Sequence, residues 1–324
     1  MQKDRRHFLK TSLGGIAGIS ALPLIGGLAG CTHAAARSAA AGAKTAVPVT
    51  KPGSVIKVTD RVKVITNVPG NVVVLTTGNG VLLVDSGSAE FAATVQQSLG
   101  SAKVQTLFNT HYHADQTGGN ALFAKAGAEI HAHTITKEWL SADFYVPAED
   151  RWVKAPPKEA IPKVTFRDKG ELKVGTETVQ FGYLLEAHTR GDAYVFFKDS
   201  NVLVAGDASS PQRDPVLDWY AGGWLGGRAD AMDRLAGLIN DQTLVIPAYG
   251  PVMTAAEFKT ERDYMLKLYD LVADKVHNGN SAKDMLEQKT LDDLGRKFQD
   301  PYKFLYDACK GFEAHYTNFG GNVV

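Results

Sequence analysis

The sequence predicts an α/β fold in which two mixed β-sheets pack face to face between outer helices, with more helices at the C-terminus. From Val62 to His133, short apolar segments of strand length alternate with segments of helical composition. A second series of apolar segments runs from Val164 to Pro247. Two successive sets of strands closed by helices suit two layers of sheet. Beyond Pro251 the apolar residues take helical spacing, which predicts a helical extension.

The first 31 residues have the features of an export signal. Arg5 and Arg6 precede an apolar, Gly-rich segment over 13–30, and the pattern resembles a twin-arginine signal. An ordinary secretory signal that contains two arginines is the alternative. The segment ends in Leu28-Ala29-Gly30-Cys31, which resembles a bacterial lipobox. These motifs predict an exported protein that is anchored to the membrane by lipid at Cys31, on the periplasmic face of the cell envelope.

The segment 32–55 is rich in Ala, Pro and Gly and lacks apolar periodicity. This composition predicts a tether between the lipid and a folded domain over 56–252. Cys309 is the other cysteine of the chain. With Cys31 lipidated, neither an intramolecular disulfide nor a cysteine-based zinc site can form. Any metal ion must therefore be held by histidine and carboxylate.

The strands and helices follow in order along the domain. Gly78-Asn79-Gly80 predicts a hairpin turn between two strands of the first set. A connection over 134–162 then separates the first set from the second. The predicted strands are 62–66, 72–76, 81–84, 104–108 and 129–133, then 164–166, 172–174, 178–185, 193–197, 202–205 and 244–247; the predicted helices are 89–99, 120–126 and 229–240.

The segment 253–324 is predicted to form three helices on the outside of the domain. Apolar residues from Phe258 to Val276 keep helical spacing, and Asn278-Gly279 is a typical helix stop. Three helix-start patterns occur in this segment: Thr290 with Asp293, Ser281 with Asp284, and Asp300-Pro301.

Composition limits the kinds of partner. The chain has 324 residues, of which 44% are hydrophobic and 22% charged, so it can bury a large core. Basic and acidic side chains number 35 each, which leaves no electrostatic footprint for nucleic acid. A small-molecule substrate is the expected partner, and the sequence indicates no protein partner.

The most informative motif is Thr110-His111-Tyr112-His113-Ala114-Asp115, with Gly118-Gly119 shortly after it. Two histidines separated by one residue, directly after a strand, direct their imidazoles into one cavity. Zn²⁺ favours imidazole nitrogen at about 2.0–2.1 Å, so this pair is a natural half of a metal site. The added Asp and Gly pair make a chance occurrence of the pattern improbable.

These residues resemble the metallo-β-lactamase superfamily, whose signature is His-x-His-x-Asp-His before a Gly-rich turn. The resemblance covers about 62–251 and implies the family's αββα sandwich and a metal-dependent hydrolase. It also implies that His188 is the third imidazole, that Asp207 is a metal-bridging carboxylate and that Asp85 supports the ligands. With His111 and His113, His188 then completes a three-histidine zinc site.

Two residues depart from the family signature. Gln116 occupies the place of the last His of the motif, and Tyr249 stands where the family usually has a final His. The second metal site then keeps Asp115 and Asp207 beside a neutral amide and a phenol, which are poor zinc ligands. We therefore expect one zinc ion per chain, with a second site that is weak or empty. Restoring histidine at 116 and 249 together is expected to raise the zinc content toward two.

One zinc ion is enough for hydrolysis in principle, because a water ligand acquires a pKa of about 7. On this interpretation Asp115 orients or deprotonates the water, and Tyr249 donates a hydrogen bond to the developing oxyanion. A satisfied wall residue is the alternative for Tyr249. The predicted substrates are esters, lactones, thioesters or lactams. A non-catalytic zinc-binding or sensor protein that has kept the fold is the alternative function, and Gln116 and Tyr249 favour it.

Two further groups of residues are assigned weaker roles. His131 and His133 also have one-residue spacing, but no Asp follows, so they are predicted to be structural or to line a pocket. Aromatic residues in the loops near the motif predict either an apolar wall for the substrate or anchors for the loops. They are Trp139, Phe144, Tyr145, Trp152, Trp219, Tyr220 and Trp224.

Overall fold

The computed structural model describes residues 51–318. The predicted signal with Arg5, Arg6 and Cys31 lies outside the described residues, as does most of the predicted tether. The residues that are described belong to one compact unit. None of the helices among them is both long enough and apolar enough to cross a membrane.

Residues 51–166 contribute one sheet and a separate hairpin. The strands are β1 (Ser54–Lys57), β2 (Val62–Thr66), β3 (Val72–Thr77), β4 (Gly80–Val84), β5 (Val104–Asn109), β6 (Glu129–His133), β7 (Phe144–Val146), β8 (Arg151–Val153) and β9 (Val164–Phe166). In this part of the chain, β1 to β6 and β9 pair in that order, antiparallel up to β4 and parallel from β4 onward. Strands β7 and β8 form the hairpin.

Residues 169–254 contribute the second sheet. Its strands are β10 (Lys169–Val174), β11 (Glu177–Tyr183), β12 (Ala193–Phe197), β13 (Val202–Gly206), β14 (Leu244–Pro247) and β15 (Met253–Thr254). They pair in chain order, and within this range β13 and β14 are the parallel pair. Both sheets are therefore mixed, as the sequence predicts.

The helices are α1 (Ala92–Leu99), α2 (Ala114–Thr117), α3 (Asn120–Lys125), α4 (Thr134–Leu140), α5 (Leu225–Ala236), α6 (Ala255–His277), α7 (Ala282–Glu287) and α8 (Pro301–Asn318). Helix α4 and the β7–β8 hairpin lie in the connection for which the sequence predicted no elements. Helix α5 begins and ends about four residues before the prediction. Gly226 and Gly227 have low helix propensity, so the sequence does not indicate that the helix starts before them. A glycine is nevertheless required at 227, because a Cβ there would overlap the Glu186 carbonyl oxygen.

The two sheets share an apolar core. Leu75 and Phe108 from the first sheet meet Val195 and Val204 from the second, and all four are nearly or fully buried. Burying a side chain of this size stabilises the fold by about 1.5–3 kcal/mol. Helices α1 and α3 cover the other face of the first sheet, whereas α5 to α8 cover the second. The layers are those of the predicted sandwich.

One predicted domain boundary falls inside a strand, and the other falls directly before one. Ser54 and Val55, assigned to the tether, pair in β1 with Thr66 and Ile65 of β2. Met253, assigned to the extension, pairs in β15 with Val245 of β14. The helical extension also shares one buried cluster with the second sheet, so it belongs to the core of the domain.

The capping predictions in the extension have different outcomes. Ser281 and Asp284 form the predicted capping box at the start of α7. The capping box predicted at Thr290 is wrong, because a short 3-10 helix, Asp292–Leu294, starts after Leu291 instead. The Thr290 hydroxyl is buried without a hydrogen-bond partner among the described residues. Burial of Leu291 and Leu294 stabilises this tighter turn.

Candidate metal centre

The candidate site lies where several strands end at one edge of the two sheets. Strand β5 ends directly before the His111 motif, and β13 ends directly before Asp207. Gly206 has a φ of 57° and lies so close to Thr110 that a Cβ would approach the Thr110 Cβ to 2.9 Å. The absence of a side chain at Gly206 thus lets the two strand ends meet.

The three histidines predicted as ligands come together. Metal-binding atoms of His111, His113 and His188 lie within 4.8 Å of one another. His111 and His188 are fully buried, and burial together with the neighbouring histidines lowers the pKa of His111 to about 3. Such an imidazole is neutral at neutral pH, which is the form that binds a metal ion.

The ring nitrogens of this group fit a zinc ion. His111 Nε2 and His188 Nε2 are buried and have no hydrogen-bond partner among the described residues. His113 directs Nε2 toward Asp218, which leaves Nδ1 for a metal. A buried polar atom without a partner costs about 1–3 kcal/mol, so a bound cation would relieve this group. Three imidazoles at one point match a catalytic zinc site with an open fourth position.

Asp85, which the family resemblance implies as a support of the ligands, contacts His111 through Thr110. Its two carboxylate oxygens accept hydrogen bonds from the Thr110 N–H and hydroxyl, both at 2.8 Å. The Thr110 hydroxyl oxygen lies 3.0 Å from His111 Nδ1 and can accept a hydrogen bond from the Nδ1–H when Nε2 faces a metal. Burial raises the pKa of Asp85 to about 8, against the opposing effect of the Thr110 hydrogen bonds.

Asp218 is a candidate site residue that sequence reasoning missed. It is buried, lies 2.9 Å from His113 Nε2 and accepts a hydrogen bond from the Tyr112 hydroxyl. Burial alone would lower the pKa of His113, but the hydrogen bond and charge of Asp218 outweigh burial and raise it. Asp192 lies 3.5 Å from His188 Nδ1 in a similar position. A chemical rule could have prompted a search for these residues in the sequence, because histidines that bind a metal usually donate a hydrogen bond to a carboxylate, a backbone carbonyl or water.

The residues predicted for a second metal site also lie together, but an unpredicted arginine joins them. Asp207 forms an ion pair with Arg213 through Oδ2 and accepts a hydrogen bond from the Ser210 hydroxyl through Oδ1. The Arg213 guanidinium lies 3.7 Å from the centre of the Tyr249 ring. The Tyr249 hydroxyl donates a hydrogen bond to Asp115 Oδ2.

Electrostatics fix the protonation states in this second group. Burial would raise the pKa of Asp207, but the charges of Arg213, His188 and Arg228 outweigh burial and hold it far below its usual range. Burial and the adjacent Asp115 carboxylate raise the pKa of Tyr249. At neutral pH, Asp207 is therefore a carboxylate and Tyr249 is a neutral hydrogen-bond donor.

Gln116 is fully buried, and both atoms of its amide lack hydrogen-bond partners among the described residues. Its amide packs on Gly70, where a Cβ would overlap it. The next residue, Asn71, donates its backbone N–H to the Ala248 carbonyl at 2.8 Å. Gln116 thus lies beside the segment that contacts the Tyr249 loop.

His131 and His133 have structural contacts, as the sequence predicted. His131 Nε2 lies 3.0 Å from a Glu129 carboxylate oxygen. His133 Nε2 lies 3.1 Å from the Arg167 carbonyl oxygen, and its ring stacks on Tyr183 at 4.0 Å. Neither belongs to the metal-binding group found among residues 51–318.

A cavity of about 540 Å³ opens beside His113 and Asp115. Helix α4, the β7–β8 hairpin, the segment after Asp207 and helix α8 contribute to it. Among the aromatic residues predicted for the wall, Trp224 and Trp152 do not line this cavity. Trp224 stacks on His315 at 3.7 Å, and Trp152 is 64% exposed on the hairpin. The apolar lining includes Tyr112, Trp139, Leu140, Phe144, Val146, Leu217, Trp219 and Tyr220.

Comparison with known proteins identifies the family. The profile of the Metallo-beta-lactamase superfamily matches residues 65–303. The chain therefore belongs to the metallo-beta-lactamase superfamily, and the predicted α/β sandwich is confirmed.

Individual relatives are distant. The metallo-beta-lactamase type 2 of Bacillus cereus is 28% identical over 194 residues, which are 57% of this chain and 68% of that protein. The 2,4-dinitroanisole O-demethylase subunit alpha of Nocardioides sp. (strain JS1661) is 26% identical over 204 residues, 60% of this chain and 55% of that protein.

Solved structures share the fold. A metallo-beta-lactamase from Pontibacter korlensis has a TM-score of 0.54 at 19% identity, covering 66% of this chain and 98% of that chain. A double mutant of the sec-alkyl sulfatase PisA1 has a TM-score of 0.58 at 14% identity, covering 83% of this chain and 50% of that chain. The second match extends over more of this chain than the first.

Proposed function

We propose that the protein is a zinc-dependent hydrolase with one zinc ion per chain, acting on an ester, lactone, thioester or lactam. One observation carries the proposal: metal-binding atoms of three imidazoles converge within 4.8 Å beside an apolar cavity, and the Nε2 atoms of two of them have no hydrogen-bond partner among the described residues. Zinc held by His111, His113 and His188 supplies a Lewis acid and a water molecule that ionises near neutral pH.

Asp115 is the residue of the chain best placed to handle a proton. It lines the cavity beside His113 and accepts the hydrogen bond from Tyr249. A carboxylate in this place can orient an attacking water or accept its proton. Tyr249 then acts by holding Asp115, and donation to an oxyanion would require this hydrogen bond to break.

The cavity wall supports a substrate with an apolar or aromatic part. Its lining is dominated by aromatic and aliphatic side chains, with Lys303 and Arg151 among the charged groups. The similarity to a metallo-beta-lactamase of Bacillus cereus supports testing lactams. The similarity to a dinitroanisole demethylase subunit supports including aromatic compounds.

The test is hydrolysis of a panel of aryl esters, lactones, thioesters and β-lactams by the protein as purified, after chelation and after zinc is restored. His111→Ala is expected to lose zinc and activity, whereas Asp115→Asn is expected to keep zinc and lose activity. His131→Gln is the matched control, since it changes a buried histidine outside the metal-binding group. Zinc binding without turnover of any substrate would favour the non-catalytic sensor, and turnover that survives complete zinc removal would contradict a zinc hydrolase.

We also propose that the protein is exported and anchored by lipid on Cys31 at the periplasmic face of the cell envelope. The support is the sequence pattern of Arg5, Arg6 and Leu28-Ala29-Gly30-Cys31. Cys31→Ser should release the protein from the membrane fraction or leave it unprocessed, whereas Cys309→Ser should leave the fractionation unchanged. A Cys31→Ser protein that fractionates like the wild type would contradict the anchor.

A further inference from the structure

The carboxylate that would bridge two metal ions is already engaged by the chain. Arg213 pairs with Oδ2 of Asp207, and the Ser210 hydroxyl donates to Oδ1. Arg228, itself buried, approaches Oδ1 at 3.7 Å. Each oxygen of Asp207 therefore faces a donor from the segment after β13 or an arginine, and Oδ2 also lies 3.6 Å from His188 Nε2.

Arg213 is held by contacts with the other residues of the second site. Its guanidinium stacks on Tyr249 at 3.7 Å, and Tyr249 is hydrogen-bonded to Asp115. Only 27% of the Arg213 side chain is exposed. The guanidinium thus lies between Asp207 and the residue at 249, where the family resemblance implies a second metal ion.

We propose that Arg213 is a fixed cation in the place of the second metal ion and that it restricts the protein to one. The inference rests on the proposed three-histidine zinc site. An arginine stays charged in proteins, so it neutralises Asp207 without any metal. A divalent cation placed against Asp207 would meet the guanidinium within a few ångströms, where solvent screens their repulsion poorly.

This arrangement changes an expectation drawn from the sequence. From the sequence alone, the double change Gln116→His with Tyr249→His is expected to raise the zinc content toward two. With Arg213 in place, this double variant is now expected to hold one zinc ion. Adding Arg213→Gln removes the charge but keeps a polar side chain, and the triple variant is expected to hold two.

The experiment measures zinc per chain by elemental analysis after identical dialysis of each variant. Arg213→Lys in the double-variant background keeps the positive charge and is expected to hold one zinc ion. Arg296→Gln in the same background is the matched control: Arg296 also pairs with a carboxylate, Glu261, and lies 3.9 Å from the centre of the Tyr264 ring. This control is also expected to hold one. Cobalt substitution adds a second readout, because a second bound cobalt(II) ion adds its own visible absorption.

Two results would overturn the proposal: a second zinc ion in the double variant while Arg213 is intact, or a folded triple variant that still holds one. If the triple variant does not fold, zinc titration of the single variant Arg213→Gln tests the proposal. We expect weak binding of a second ion that the wild type lacks, and the absence of this binding overturns the proposal. If the wild type binds no zinc, the proposed three-histidine zinc site is contradicted, but the proposal for Arg213 is not. In that case Arg213→Gln is still expected to bind one more ion than the wild type.

Discussion

The site has a histidine side, formed by His111, His113 and His188, and a carboxylate side, formed around Asp207. The two sides differ in whether their buried polar groups have partners inside the chain. On the histidine side, the Nε2 atoms of His111 and His188 are buried and have no hydrogen-bond partner among the described residues. On the carboxylate side, Asp207 is equally buried, but Arg213 and Ser210 occupy its oxygens. A bound cation would satisfy the first half, whereas the second half contains the Arg213 guanidinium as its own cation. A carboxylate at a ligand position therefore does not by itself indicate a bound metal, because a side chain of the same protein can already pair with it.

Zinc removal should give the largest effect, because it acts on the half in which buried ring nitrogens lack hydrogen-bond partners among the described residues. At a free zinc concentration of about 1,000 times Kd, binding to the folded state alone adds about 4 kcal/mol to the free energy of unfolding. Chelation should remove this amount, as measured by denaturant unfolding with and without zinc. Magnesium is the control and should not restore stability, because it prefers oxygen ligands. Identical unfolding curves for the two forms would mean that the histidine side needs no cation.

Asp207→Asn tests the half that contains its own cation. It removes the carboxylate that faces Arg213 and the buried Arg228. Breaking such a pair leaves an uncompensated charge, so the free energy of unfolding should fall by about 3 kcal/mol while the histidines still hold zinc. Adding Arg213→Gln should recover part of the loss, which a double-mutant cycle measures. Loss of zinc as the main effect would instead make Asp207 a ligand.

Asp218→Asn should weaken zinc binding without removing it. The change takes away the negative charge at 2.9 Å from His113 Nε2. Losing such an outer partner typically costs 10- to 100-fold in metal affinity, and we expect an effect of about that size. Competition with a chromophoric chelator measures the affinity. Asp241→Asn is the control, because that carboxylate is exposed and pairs with Lys259; an equal loss in both variants would remove the special role of Asp218.

Tyr249→Phe should have the smallest effect. It keeps the ring that Arg213 stacks on but removes the hydroxyl that bonds to Asp115. We expect unchanged zinc content and a kcat/KM lower by about tenfold, equivalent to about 1.4 kcal/mol. Tyr264→Phe is the control in the C-terminal helical region. Full activity in Tyr249→Phe would make this tyrosine a wall residue, which is the alternative that the sequence left open.

The sequence by itself predicted the layers of the fold and the three-histidine group. Strand and helix patterns are local, so they give the order of elements directly. The spacing of His111 and His113 fixes both rings relative to one strand end, and the resemblance to the family supplied His188. Where local patterns were weak, as in the connection over 134–162, helix α4 and the β7–β8 hairpin were missed.

Only the tertiary structure decided how the charges are paired. Arg213 and Asp218 lie in an irregular segment between β13 and α5, where no periodicity marks which side chain meets which. Their contacts with Asp207 and His113 depend on how this segment packs against distant parts of the chain. A buried charge requires an opposite charge nearby, and that charge can come from any part of the chain. The sequence therefore predicts that Asp207 is a metal ligand, whereas the fold shows that it pairs with an arginine.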